Sequence, residues 1–212
     1  MKSVRFDHYD TARDFALILT TYTIGEAPAR TNTVEVEGMD GVLDFTEYFG
    51  EIFYENRELE FTFSLIEPMA DFPRIYSEVK NAINGKRMKI TPSWDSGFYY
   101  VGRVTVNEWE SDGRIGTIVI GCDCEPYKYR QQPTKKTLTV NGTKKFILRN
   151  LRKRVSPSFE FDASMTVKFK DASYTASAGS WSDPRIILLQ GENEMTFEGT
   201  GTVTITYQER GL

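Results

Sequence analysis

The sequence predicts a mainly β protein: a β-rich first domain carrying one helix, followed by a small antiparallel β-sandwich. Three observations point there. Stretches of alternating apolar and polar residues recur along the whole chain, and a period of two marks half-buried strands. Aromatic residues make up 13% of the 212 residues, and Thr and Val are frequent, a mixture that suits pleated sheet. Only residues 72–84 carry a helical period. With 40% hydrophobic and 26% charged residues, the chain can bury a real core.

Each element follows from its local pattern. Phe15, Leu17 and Leu19 alternate with Ala16, Ile18 and Thr20, so both faces are apolar and a well-buried strand is expected. Gly25-Glu26-Ala27-Pro28 ends it. Residues 31–37 alternate again, with Val34 and Val36 expected to face inward. Gly38-Met39-Asp40-Gly41 reads as a turn leading into an acidic, aromatic segment. Alternation is then strict: Leu59, Phe61, Phe63 and Leu65 share one face, and Glu58, Glu60, Thr62 and Ser64 the other.

In the helix, Phe72, Ile75, Tyr76, Val79 and Ile83 form one apolar stripe, which reads as a core face. Asp71 is the expected N-cap, Pro73 suits the first turn, and Gly85 suits the stop. Strands are expected over residues 88–91, 97–109 and 114–122, the last two joined by a turn at Asp112-Gly113. Cys124-Glu125-Pro126 through Pro133 is polar and aromatic between two prolines, a domain crossing. Domains are therefore expected over residues 1–130 and 131–212. In the second, short strands are expected over 136–140, 145–148, 159–161, 165–169, 185–189, 195–197 and 203–207. Asn141-Gly142 is read as the turn between the first two.

Several function classes find no support. No serine sits in a nucleophile elbow, and any Ser–His–Asp arrangement would have to use His8, the one histidine. Gly38-x-x-Gly41 is too short for a phosphate loop and lies between strands. Asp40 and Asp44 flank a glycine turn, where Asp bonds its own backbone. Cys122 and Cys124 point the same way on a strand, too close for disulfide geometry and without further metal ligands nearby in sequence. They are expected to be structural thiols. Trp181, expected in a loop, reads first as a packing residue and second as a sugar-stacking platform. No catalytic residue, cofactor site or metal site is expected. Residues 1–8 are broken by charges, and the longest apolar run, 15–19, is far below the roughly 20 residues that span a bilayer. A soluble chain made in a cytoplasm is expected, with no membrane partner.

Charge is unevenly spread: net −10 over residues 1–125, +10 over 126–159 and −4 over 160–212. Within the basic block, Lys144, Lys145, Arg149, Arg152, Lys153 and Arg154 are interleaved with apolar residues at strand spacing. The first reading is a solvated strand face. The second is an interface patch that meets the acidic first domain of a neighbouring copy. A pI near 5.3 speaks against specific nucleic-acid binding.

The ordered motifs together resemble the distal tail protein (Dit) family of siphoviruses. They begin with Phe15-x-Leu17-Ile18-Leu19 and Ile24-Gly25-Glu26-x-Pro28, then Thr31-Asn32. Val36-x-Gly38-Met39-Asp40-Gly41-x-Leu43-Asp44-x-Thr46-Glu47 and the 54–63 strand come next. Asn81-x-x-Asn84-Gly85-Lys86, Tyr99-Tyr100-x-Gly102-Arg103, Cys124-Glu125-Pro126-Tyr127-Lys128 and Gly191-Glu192-Asn193 complete the series. The resemblance implies a ring-forming β-rich domain with an extended hairpin, followed by a small galectin-like sandwich. It also implies a hexameric ring in the virion, at the phage tail tip. Such a ring is a baseplate hub joining the tail tube protein and tape-measure protein to tail-tip proteins, with a channel for DNA. It implies no catalytic residues. Some members carry a carbohydrate-binding insertion in the second domain; residues 131–212 hold a minimal sandwich only.

Overall fold

The computed structural model describes residues 2–65, 72–111 and 115–212. The expected N-cap Asp71 and the Asp112-Gly113 turn lie outside the described residues. The chain divides into two compact units, Met1–Lys128 and Tyr129–Leu212. Both are mainly β.

The first unit contains β1 (Val4–Phe6), β2 (Tyr9–Asp10), α1 (Thr11–Phe15), β3 (Leu17–Ile24), β4 (Thr33–Val34) and β5 (Leu43–Asp44). After these come β6 (Arg57–Leu65), α2 (Phe72–Ile83), β7 (Arg87–Pro92), β8 (Phe98–Ser111) and β9 (Gly116–Cys124). Seven strands of this unit lie in one antiparallel sheet of nine, in the order β2-β1-β7-β8-β9-β6-β3. Its core face carries Leu59, Phe61 and Phe63 of β6 beside Ile118, Ile120 and Cys122 of β9, as period two requires. Against them α2 lays Phe72, Ile75, Val79 and Ile83, all buried. Burying such side chains stabilises by roughly 1.5–3 kcal/mol each, so this helix is held by its stripe and not by its length. It stops where expected: Gly85 takes φ +75°, and the Lys86 ammonium donates to the terminal carbonyl of Ala82 at 2.6 Å. Asn84 then accepts from the Val106 N–H at 2.9 Å, where the β8–β9 ladder shifts register.

Two expectations in this unit fail. Phe15 does not begin a strand; it ends the five-residue α1, whose N-cap Asp10 accepts from the N–H groups of Ala12 and Arg13. The following strand is not well buried. Among the described residues β3 pairs only with β6, at the sheet edge, and residues 20–23 are exposed, as their run Thr20-Thr21-Tyr22-Thr23 suits. Residues 31–37 form no inward-facing strand. Only Thr33–Val34 is strand, and Val34 and Val36 are 46% and 43% exposed.

A short strand, β10 (Lys128–Arg130), spans the boundary in sequence. The second unit continues with β11 (Thr134–Asn150), β12 (Ser158–Phe161), β13 (Met165–Phe169), β14 (Ala172–Ala176), β15 (Gly179–Ser182), β16 (Gly191–Tyr207) and β17 (Arg210–Gly211). The sheet order is β14-β13-β16-β12-β15, with β11 paired along β16. Asn141-Gly142 is not a hairpin turn. The strands expected over 136–140 and 145–148 are one 17-residue strand, and so are those over 195–197 and 203–207. The two run antiparallel without slippage from Thr134↔Tyr207 to Asn150↔Gly191.

This ribbon doubles back on itself. Tyr207 lies opposite Thr134, yet its hydroxyl donates to the carbonyl of Arg149 at 2.6 Å. A straight strand would hold residues 134 and 149 roughly 50 Å apart. The bend falls at Gly142, which pairs with Gly199 and lies beside Gly201; their φ angles are +85°, +144° and +148°. One half of β16 pairs with β13 and the other with β12. Both halves point side chains into one core: Leu138, Val140, Leu148, Met195, Phe197, Val203 and Ile205. Two layers thus arise from a folded ribbon. Residues 185–189 make no strand; after Pro184, Ile186 and Leu188 are buried from a turn and a single bridge to Val155. Trp181 lies on strand β15, not in a loop.

Candidate assembly surfaces

The β3–β6 hairpin does not close where its ladder ends at Ile24↔Leu59. It continues as a thin arm: Ala29 bridges Tyr54, the Arg30 N–H donates to the Phe53 carbonyl, and β4 pairs with β5. At its base Arg30 pairs with Glu55 at 2.8 Å. Asp44 accepts from the Thr46 N–H at 2.8 Å, and hydrogen bonding to the Thr46 side chain first, and to this N–H second, lowers its pKa. Of Asp40 and Asp44, both expected to bond the local backbone, Asp44 does so. Gly38 and Gly41 take φ +83° and +78° in the connection between β4 and β5.

What the arm carries is unusual for a solvent surface. Val34, Val36, Met39, Val42, Leu43, Phe45 and Phe53 are all exposed, and Tyr48 and Phe49 are 74% and 69% exposed. The rings touch edge-to-face in sequence, Phe45 to Tyr48, Tyr48 to Phe49 and Phe49 to Phe53, at 5.3–6.5 Å between centroids. Between residues 31 and 53 stand six carboxylates and no basic side chain. A contiguous apolar patch rimmed by charge marks a protein–protein surface. Aromatic side chains are the type that dominates such interfaces.

The six cations named from the sequence do not form one free patch. On β11, Lys145 pairs with Glu194 and Arg149 with Glu192 across the ladder, both at 2.8 Å. Arg152 donates to Gln190, and Lys144 to the Thr139 carbonyl. Exposed pairs of this kind contribute roughly 0–1 kcal/mol each, so their main effect is to neutralise the strand face. The backbone N–H groups of Arg152 and Lys153 both donate to the Arg210 carbonyl. Arg154 borders a shallow recess with Ser156 and Ser182. The basic block and its partners Glu192 and Glu194 are 43–49 residues apart in sequence, so the neutralisation is invisible without the strand register.

Trp181 is half-buried and packs on the second core, its ring 5.4 Å from Phe159 and 6.1 Å from Tyr174. Cys122 and Cys124 are free and buried on one face of β9. Burial, with smaller help from Asp123, pushes the Cys124 thiol up to about 12, and burial raises Cys122 as well. Below the ordinary thiol value of about 8.5 both are neutral whether or not the chain is folded. Above it only the unfolded chain ionises, so stability falls from there towards pH 12. The urea midpoint is expected to be lower at about pH 10.5 than at about pH 8, with neither thiol labelled at pH 8 until urea is added. Among the described residues no group of three His, Cys, Asp or Glu could hold a metal ion, and no helix is long and apolar enough to cross a membrane.

No family model matches the chain, and no curated protein does. Among solved structures, the SPP1 Dit (gp 19.1) protein, described as a paradigm of the hub adsorption apparatus in phages that infect Gram-positive hosts, matches the chain over its whole length. The TM-score is 0.71 with 16% identity, covering 100% of both chains. The two proteins share a fold, and the resemblance read from the sequence holds at that level.

Proposed function

We propose that this chain is a structural hub subunit at the distal end of a siphovirus tail. The single observation that carries this is a full-length match to a phage hub protein, with no segment of either chain left over. In this reading residues 1–130 form the ring domain and residues 131–212 a galectin-like sandwich. Six copies close into a ring, because a heterologous interface whose rotation divides the circle ends as a closed ring. The arm is the element offered to the neighbouring copy, since Tyr48 and Phe49 stay largely exposed among the described residues and would be buried by a partner. The ring joins the tail tube and tape-measure proteins to the tail-tip proteins and leaves a channel for DNA. Unit one, net −9 over residues 1–128, presents negative charge to that channel and keeps DNA from adhering. The role is mechanical, with no turnover reaction. Particles assembled without this subunit are expected to lack a joined tip, and a specific antibody to decorate the distal end of complete tails. Normal infective tips in its absence would refute the proposal.

A further inference from the structure

At the open end of the folded ribbon, the two halves of β11 and β16 part around a cavity of about 420 Å3. Small-ligand sites occupy roughly 300–1,000 Å3. Phe146, Leu148 and Tyr207 give it apolar surface, and Glu209, only 5% exposed, gives it a buried carboxylate. Lys136 and Arg149, both exposed, stand at its mouth.

Lys136 breaks the pattern of its strand. It shares a face with Leu138 and Val140 and lies opposite the fully buried Ile205, where an apolar residue would extend the core. An inward position given to a charge marks a site or an edge device. No carboxylate pairs with this ammonium among the described residues, whereas both carboxylates of the cavity are engaged. Glu209 pairs with Arg130 and accepts from the Thr134 hydroxyl at 2.7 Å, and Glu192 pairs with Arg149. The lining is left with one positive charge in excess.

We propose that this cavity binds a sugar phosphate. The phosphate meets Lys136 and Arg149 at the mouth, and the ring packs on Phe146 and Tyr207. Its hydroxyls donate to Glu209, the buried acceptor that would repel a bare anion. The inference stands on the cavity alone and does not depend on the hub reading.

Calorimetric titration of the full chain tests it with glucose 6-phosphate, glucose and inorganic phosphate. Glucose 6-phosphate is expected to bind, the other two roughly tenfold or more weakly, and Lys136→Glu to weaken binding roughly tenfold or more while Lys136→Arg retains it. An edge device accepts a charge of either sign, so a folded, monodisperse Lys136→Glu that no longer binds excludes that role. If Lys136→Glu does not fold, Arg149→Ala replaces it with the same expectation. Absence of binding up to about 10 mM, equal binding of inorganic phosphate, or unchanged affinity in the charge variant overturns the proposal.

Discussion

Replacing Tyr48 and Phe49 by serine is expected to leave a folded chain that no longer assembles. Both rings are largely exposed and touch mainly each other and the rest of the arm, so the core of the first unit loses nothing. In an assembled ring they would be buried. Truncating a central interface aromatic costs about 2 kcal/mol or more, and two together weaken association by roughly a thousandfold. Sedimentation at micromolar concentration should find the parent chain as an oligomer and the variant as a monomer, with equal thermal midpoints. An unchanged oligomer would move the interface elsewhere.

The second large effect is on folding. An alanine at position 201 would place its Cβ 2.2 Å from Asp162 Oδ1 and 2.9 Å from Met165 Cε. Neither can retreat freely: Asp162 accepts from the Thr202 N–H at 2.6 Å, and Met165 is buried. Adding the strain of φ +148°, the loss is expected to be on the order of 3 kcal/mol or more. At Gly142 an added Cβ meets nothing within 4 Å, so Gly142→Ala bears only its backbone cost, roughly 1–2 kcal/mol. Urea unfolding of the two variants should rank them in that order. Equal midpoints would mean that the bend is not anchored at Gly201.

These residues also show what the sequence can and cannot display. The β6 strand and the α2 stripe were legible because a single period sorts their buried from their exposed side chains. Along the arm the alternation of Val34 and Val36 was equally plain, but alternation tells only that two faces differ. Which face is covered depends on a partner, and among the described residues Val34 and Val36 stay exposed. At five residues α1 is too short to display a period, and its Asp10 cap was the available clue. Asn141-Gly142 was expected to reverse the chain between two strands, and instead lies within one strand. A dipeptide cannot distinguish a chain reversal from a ribbon bending as a pair, and the distinguishing partners, Gly199 and Gly201, lie more than fifty residues away. The basic block was visible as composition, while the carboxylates that offset it arrive only with the register of β16.

Images of the purified chain at micromolar concentration test the central claim most directly. Six-fold rings with an open centre, the arm of each copy reaching its neighbour, are the predicted result. A population of single copies or closed two-fold pairs would contradict it.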